Sequence, residues 1–521
     1  MQIDRSKNST RNMAVGVLNQ IVTLVMPFFI RTIIIEQLGM AYSGLGGLFT
    51  SILQVLSLAE LGFATAMVFS MYRPIAEDNT ELVCALLKLY KIVYRVIGCV
   101  VLAIGLLLMP FFPWIINGTV PDDINIYTLF LLYLFNATSS YFFFAYKSSL
   151  LTATARSDIS VLVTMICCLV QYTVQIAVLT LFHNYYLYFI FAPLFGILSN
   201  FIKAKIVDKM YPQFVCRGKV DKETLSSIKK NIGGLMFHRI GSVMVNATDT
   251  IVISILFQES SFAEITIFGN YHFISSAVSG FLVVIYNAIS ATVGNAIVTK
   301  TKEENYRDFM KFTFMNLTLV GWCFVCLFCL YQPFMHLWMK GEMYHSMLTV
   351  ACFCIHFYIY RARGITTQYK SAVGIFWQDK WCPVVATVSN LLLDVVLGIL
   401  WGVPGILMAT VFSMFLIETP WELTMLYKHY FKRSPWEYIV KWIVYAAVTV
   451  AITAITYLIS SFLPQISDER TLMDFVWFAV RLLVCAVVPT LLYFLAYFKT
   501  KEFGAAKQFV VGNLKRRKGH A

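Results

Sequence analysis

Arg361 and Arg363 stand one residue apart in "IHFYIYRARGITTQYKSAVGIFWQDKW", directly behind the uncharged run "MLTVACFCIHFYIY". A guanidinium keeps its charge when buried and presents a planar fork of donors that matches phosphate oxygens. Two readings of the pair follow. Either the run is a membrane helix whose arginines reach the inner lipid headgroups, or the arginines line a cavity and hold an anionic group that Gly364 lets approach closely. Three more arginines interrupt apolar stretches: Arg31, Arg239 and Arg481. So do three carboxylates: Glu60 in "LSLAELGF", Asp249 in "NATDTIVISILF" and Asp394 in "NLLLDVVL". A charge at the centre of a bilayer costs about 2.5–3.5 kcal/mol on insertion scales, so such residues face a cavity, form pairs or snorkel to an interface. Arg239 and Asn246 are seven apart and share a helix face. Glu60 reads either as a helix-tying hydrogen-bond acceptor or as a coupling group. Asp394, four residues after Asn390, reads first as packing glue between helices. Glu418 and Glu422 flank Pro420, where a kink is expected, and Glu422 reads as interfacial. Arg481 reads as a snorkelling side chain.

The elements that carry these residues follow from composition. Of 521 residues 59% are hydrophobic and 13% charged, with a mean hydropathy of +0.70. Soluble domains are nearer about 25% charged, so this is an integral membrane protein. Charge is confined to short stretches between apolar runs long enough to cross a hydrocarbon core as helices. Alternating strands of a membrane barrel are absent from the pattern. Fourteen spans are expected. The first six cover 11–37, 44–72, 86–112, 124–150, 158–182 and 185–207; the next six cover 229–257, 264–297, 308–332, 344–369, 377–401 and 404–428; the last two cover 437–463 and 474–498. The first run is too long for a signal-peptide core and lacks a small-residue cleavage site.

With the N-terminus inside, the inner segments hold 34 of the 41 Lys and Arg residues. The outer loops hold Lys340 and Arg470 alone. The positive-inside rule therefore places both termini in the cytoplasm. The net charge of +13 is explained by these loops rather than by nucleic acid. The basic loop "KAKIVDKMYPQFVCRGKVDKETLSSIKK" suggests a lobe of six helices over 1–207, a linker at 208–228 and a second lobe over 229–430. Two further helices and a basic tail fill 431–521. The ends of spans one and seven, "RTIII" and "DTIVI", echo one another, which aligns Arg31 with Asp249 as a charge pair that could open and close an outer gate.

No phosphate-cradling loop, paired loop carboxylates or metal-ligand spacing occurs, and the twelve cysteines fall mostly inside apolar runs, where they act as small hydrophobes. The chain is not read as an enzyme, and no cofactor or metal is expected beyond a coupling cation, H⁺ or Na⁺. Energy must come from an ion gradient, the membrane potential or consumption of the cargo.

The stretch "EQLGMAYSGLGGLFTSILQVLSLAELGFATAMVFSMYRPIAEDN" at 36–79 resembles the first helical hairpin of polysaccharide and O-antigen flippases, as does "NATDTIVISILF" at 246–257. "AVGIFWQDKWCPVVATVSNLLLDVVLGILWGVPGILMATVFS" at 372–413 is similar to their tenth-to-twelfth-helix signature. These belong to the multidrug/oligosaccharidyl-lipid/polysaccharide exporter superfamily. The resemblance implies an all-α membrane fold of two six-helix lobes around a central cavity plus two C-terminal helices. It also implies alternating access in the cytoplasmic membrane and a lipid-linked oligosaccharide as cargo. Arg31, Arg239, Arg361 and Arg363 would contact that substrate, and Asp249, Glu60 and Asp394 would gate or couple. Membrane lipids, a polysaccharide polymerase and glycosyltransferases are the implied partners. A multidrug or organic-cation antiporter of the same superfamily is the competing reading, although such a carrier calls for acidic rather than basic residues inside. A membrane glycosyltransferase or polymerase would need a large outer loop, and the outer loops here are short.

Overall fold

The computed structural model describes residues 5–518 except 61, 227, 229–242, 244–246, 340–343, 376–377 and 468. All regular structure among them is helical. Ten helices are long and apolar enough to cross a membrane, and Ile126–Phe142 with Ala145–Ala153, bent by 47°, makes an eleventh. The other three expected spans have separate fates. The second breaks at 57–62, the seventh lies mostly outside the described residues, and the tenth divides at Arg363.

Contacts gather the chain into two units, Met1–Thr266 and Ile267–Ala521. The first unit holds α1 (Arg5–Gln37), α2 (Met40–Leu56), α3 (Phe63–Ala76), α4 (Thr80–Leu108), α5 (Ile126–Phe142), α6 (Ser148–Ala153), α7 (Ser157–Phe182) and α8 (Tyr185–Met210). A further helix, α9, covers Ala247–Leu256. Side-chain caps set the starts: Asn79, Asn125 and Asn184 each accept from the amide three residues on, which satisfies one of the orphan donors of a first turn. Phe49, Phe112, Phe130 and Tyr133 form an aromatic core in which Phe49 stacks on Phe112 and the other pairs meet edge to face. A side chain on Gly46 would meet the Tyr185 hydroxyl at 2.5 Å and that of Tyr133 at 2.7 Å, so only glycine lets α2 sit this close. The helix α9 and the start of the helix that follows it are tied into the same unit: Ser254 Oγ donates to the Ile115 carbonyl at 2.6 Å and Thr266 Oγ1 to that of Met40 at 2.8 Å.

The helix α10 (Ser261–Thr299) leads into the second unit. It is followed by α11 (Lys302–Trp338), α12 (Met347–Ala362), α13 (Gly364–Val373), α14 (Trp381–Trp401), α15 (Val403–Ser413), α16 (Thr419–Leu426), α17 (Trp436–Ser461), α18 (Leu472–Tyr497) and α19 (Lys501–Lys518). Capping boxes open α11 (Thr301 with Glu304) and α18 (Thr471 with Asp474). The long α11 is the centre of this unit and packs against α12, α13, α17 and α18. Between α15 and α16, and again after α16, the chain passes through single π-helical segments, Met414–Glu418 and Tyr427–Phe431. They flank Glu418 and Glu422, on the span where Pro420 led us to expect a kink.

Candidate functional site

The two arginines of the opening motif lie where α12 gives way to α13. A helix interrupted at membrane depth leaves carbonyls without intrahelical partners, and these must be satisfied internally. Asn316 on α11 does this: its Nδ2 donates to the carbonyls of Arg361 and Ala362, each at 3.1 Å. The Tyr286 hydroxyl lies within bonding distance of the Arg361 carbonyl, 2.9 Å, and of Asn316 Oδ1, 2.8 Å. Gly364 makes room for this arrangement, because a Cβ there would stand 2.5 Å from the Tyr286 ring.

The break gives the arginines different surroundings. Arg361 is half-buried, donates from Nε to Ser279 Oγ at 2.9 Å and stacks on the Tyr360 ring at 4.5 Å. No carboxylate among the described residues pairs with it. Arg363 points to α16 and the π-segment before it, where it pairs with Glu418 and, at 2.9 Å, with Glu422. Its side chain is 11% exposed. Glu422 is shared with Lys370 at 2.6 Å, and Lys370 also pairs with Asp379. Thr367 Oγ1 donates to Glu422 as well, at 3.3 Å.

Two sequence readings change here. Glu422, expected at the interface, is buried between two cations. Lys370, counted among the inner-loop basic residues, has only 5% of its side chain exposed. The spacing held a signal for this cluster. Arg363 and Lys370 are seven apart, and Glu418 and Glu422 four apart, so each pair occupies one helical face.

In the first unit Glu60 ends a short 3₁₀ turn, Ser57–Glu60, and Gly62 in the left-handed region (φ 76°) restarts the helix. Tyr94 donates to one Glu60 oxygen at 2.6 Å and Tyr141 to the other at 3.1 Å, while Tyr90 donates to Tyr94 at 3.0 Å. Beside this relay lies a cleft of about 560 Å³ lined by Tyr72, Tyr90, Tyr94, Ser148, Ser149 and Thr152, among others. It runs along α3 and α6, the segments that follow the two helix breaks of this unit. Arg31 is half-buried on α1 and Asp249 is buried on α9. Both belong to Met1–Thr266. Arg239 lies outside the described residues.

Asp394, fully buried on α14, accepts from Asn390 Nδ2 at 3.1 Å, and the same nitrogen donates to Thr410 Oγ1 on α15 at 3.0 Å. Among the described residues the side-chain oxygen of Asn390, Oδ1, has no hydrogen-bond partner. The helix-tying reading of Asn390 and Asp394 describes this geometry, and the arrangement also gathers oxygens of a kind that can hold a small cation. Arg481 departs from the snorkelling expectation. It is 8% exposed and turns back to donate to Ser460 Oγ and to the carbonyls of Leu463 and Pro464, at 3.1, 3.0 and 2.9 Å. The carbonyls of the turn after α17 take up its guanidinium. Among the described residues no group of three or more His, Cys, Asp or Glu side chains is placed to hold a metal ion.

Scanned against protein-family models and against curated proteins, the chain matches none. Solved structures do match. The lipid II flippase MurJ in an inward closed conformation superposes with a TM-score of 0.64 at 16% identity, covering 92% of this chain and 99% of MurJ. An inward-facing multidrug resistance MATE transporter of the MOP superfamily gives 0.58 at 11% identity over 78% of this chain and 94% of that one. A MOP superfamily transporter from Pyrococcus furiosus, described as having a binding pocket of reverse polarity, gives 0.58 at 12% identity over 83% of this chain and 97% of that one. The broken helices, intramembrane arginines and long α11 described above are thus set in a multi-pass, all-helical fold of the kind seen in MurJ and the MATE transporters.

Proposed function

We propose that this chain is a flippase that moves a polyprenyl-diphosphate-linked oligosaccharide across the cytoplasmic membrane by alternating access, with both termini in the cytoplasm. One observation carries the reading: Arg361 stands at an interrupted helix, half-buried and without a carboxylate among the described residues. Ser279 and the Tyr360 ring orient its guanidinium and leave its charge uncompensated, so a diphosphate oxygen supplies the missing partner. Arg363 is already neutralised by Glu418 and Glu422, and its part is to hold the break in shape. Arg31 and Arg239 extend the basic route, with Asp249 as the gate group facing Arg31. Asp394 or Glu60 takes up the coupling cation, H⁺ or Na⁺. The cargo is supplied by glycosyltransferases and consumed by a polymerase. The lipid II cargo of the MurJ neighbour is chemically akin to this substrate.

A multidrug or organic-cation antiporter is the second reading. The carboxylates of Glu418, Glu422 and Asp379 and the multidrug MATE neighbours favour it.

The test uses cells whose surface polysaccharide depends on this chain. Arg361→Ala should abolish surface polysaccharide while the protein inserts at normal level, and Arg361→Lys should restore part of it, because lysine keeps the charge and loses the fork. Normal polysaccharide from Arg361→Ala would remove the phosphate contact. Efflux of a cationic dye that Arg361→Ala leaves intact would favour the antiporter.

A further inference from the structure

A cavity of about 320 Å³ lies in the second unit, at the end of α17 remote from the basic segment before that helix. Its lining includes Gln332 and His336 on α11, Ser460 and Ser461 at the end of α17, Gln465 in the following turn and Arg481 on α18. Arg481 is more than nine-tenths buried. Its two terminal nitrogens are engaged by Ser460 and by the carbonyls of Leu463 and Pro464 just beyond α17, and among the described residues its Nε has no hydrogen-bond partner. No carboxylate among the described residues pairs with it. A helix C-terminus offers partial negative charge, about half an elementary charge, which holds a guanidinium in place without cancelling it. The cavity therefore has a positive group in its wall, ringed by the hydrogen-bonding side chains of Gln332, His336, Ser460, Ser461 and Gln465.

The rim shows where a ligand comes from. Tyr457, which lines the cavity, stands 43% exposed, and its neighbours along the chain at the end of α17, Leu458 and Phe462, are exposed too, as apolar side chains are where they face lipid. A ligand that reaches the site along that rim is an amphiphile, and the part of it that meets Arg481 is anionic. We propose that this cavity binds the phosphate of a lipid at the outer membrane face. Bulk phospholipid and the polyprenyl carrier present the same chemistry there, the oxygens of a phosphate ester against a guanidinium. The site is separate from Arg361, and its test does not depend on the cargo assignment.

Purified full-length protein in neutral detergent is titrated with phosphatidylglycerol, with polyprenyl monophosphate and with diacylglycerol, which keeps the tails and lacks the phosphate. Thermal unfolding is the readout. Both phosphate lipids should raise the midpoint at concentrations about tenfold below diacylglycerol, the factor expected of one hydrogen bond to a charged group. Ser461→Trp fills the cavity and leaves the Arg481 contacts to α17 in place, so it should fold as the parent does and lose the phosphate preference. Arg481→Gln should lose it too; if that variant fails to fold, Ser461→Trp alone decides. Polyprenyl monophosphate acting below phosphatidylglycerol identifies the carrier as the natural ligand, and the reverse order identifies bulk lipid. Equal action of diacylglycerol, or an unchanged phosphate preference in Ser461→Trp, overturns the proposal.

Discussion

The interruption at 57–62 in the first unit and the one at 361–364 in the second solve the same problem with opposite chemistry. Each breaks a membrane helix and places a charged residue at the break. In the first, the two Glu60 oxygens accept from tyrosine hydroxyls, one each from Tyr94 and Tyr141, and a cleft lies beside it. In the second, the freed carbonyls go to Asn316 and Tyr286, and Arg363 is held by two carboxylates. The first break is soft: a carboxylate in a hydroxyl cradle can gain a proton and keep its hydrogen-bond geometry. The second is stiff, since any change of charge at Glu422 takes a shared carboxylate from two buried cations at once. The comparison separates a group suited to coupling from a framework suited to holding Arg361 still.

The largest effect is expected where the stiff break is cut. Glu422→Ala leaves Arg363 and Lys370 facing one carboxylate each, and removing one partner of a buried pair costs about 3–5 kcal/mol. Its unfolding midpoint in detergent should fall well below that of Glu418→Ala, which leaves Arg363 with Glu422. Equal losses from the two variants would mean that the cluster is not built around Glu422. Asn316→Ala strands the Ala362 carbonyl and leaves that of Arg361 to Tyr286 alone, at about 1–3 kcal/mol for a buried group left unsatisfied. Transport should drop further than stability alone explains, because Arg361 loses its fixed backbone. A variant as active as the parent would uncouple the break from the site. Glu60→Gln should be the mildest for folding, about 1 kcal/mol, since the amide oxygen still accepts from one of the two tyrosines and the amide NH2 can donate to the hydroxyl oxygen of the other. If Glu60 couples, its transport becomes insensitive to the cation gradient while binding of cargo persists. Gradient-dependent transport at the parent level in Glu60→Gln would transfer the coupling role to Asp394.

The long helices could be read directly, because a run of apolar residues leaves few alternatives in lipid. The breaks could not. "LSLAELG" is apolar enough to pass as helix, and only Gly62 at positive φ marks the restart. The tenth span looked continuous for the same reason, since the device that permits its interruption, Asn316, is 45 residues away from Arg361 in the chain. Arg361 and Arg363 looked equivalent because a sequence window contains neither Glu418 nor Glu422. Arg481 misled in the other direction: its depth suggested the interface, but the nearest free carbonyls were those of another helix. Charge type and position are local properties and were visible. Which charge is cancelled depends on tertiary neighbours.

The close fit of α11 to the last two long helices has a kinematic consequence. Gly321 on α11 lies against Thr449 and Tyr493, with no room for a side chain between them. Trp322 Nε1 donates to Thr490 Oγ1 at 3.1 Å, and Cys326 Sγ to the Cys485 carbonyl at 3.3 Å. Helices locked over that length cannot slide by a fraction of a turn without breaking contact, since packed interfaces switch between discrete arrangements rather than shear smoothly. If the chain transports as proposed, α17 and α18 travel with α11 as one lever. A cross-link between α11 and α18 should therefore leave the cycle running.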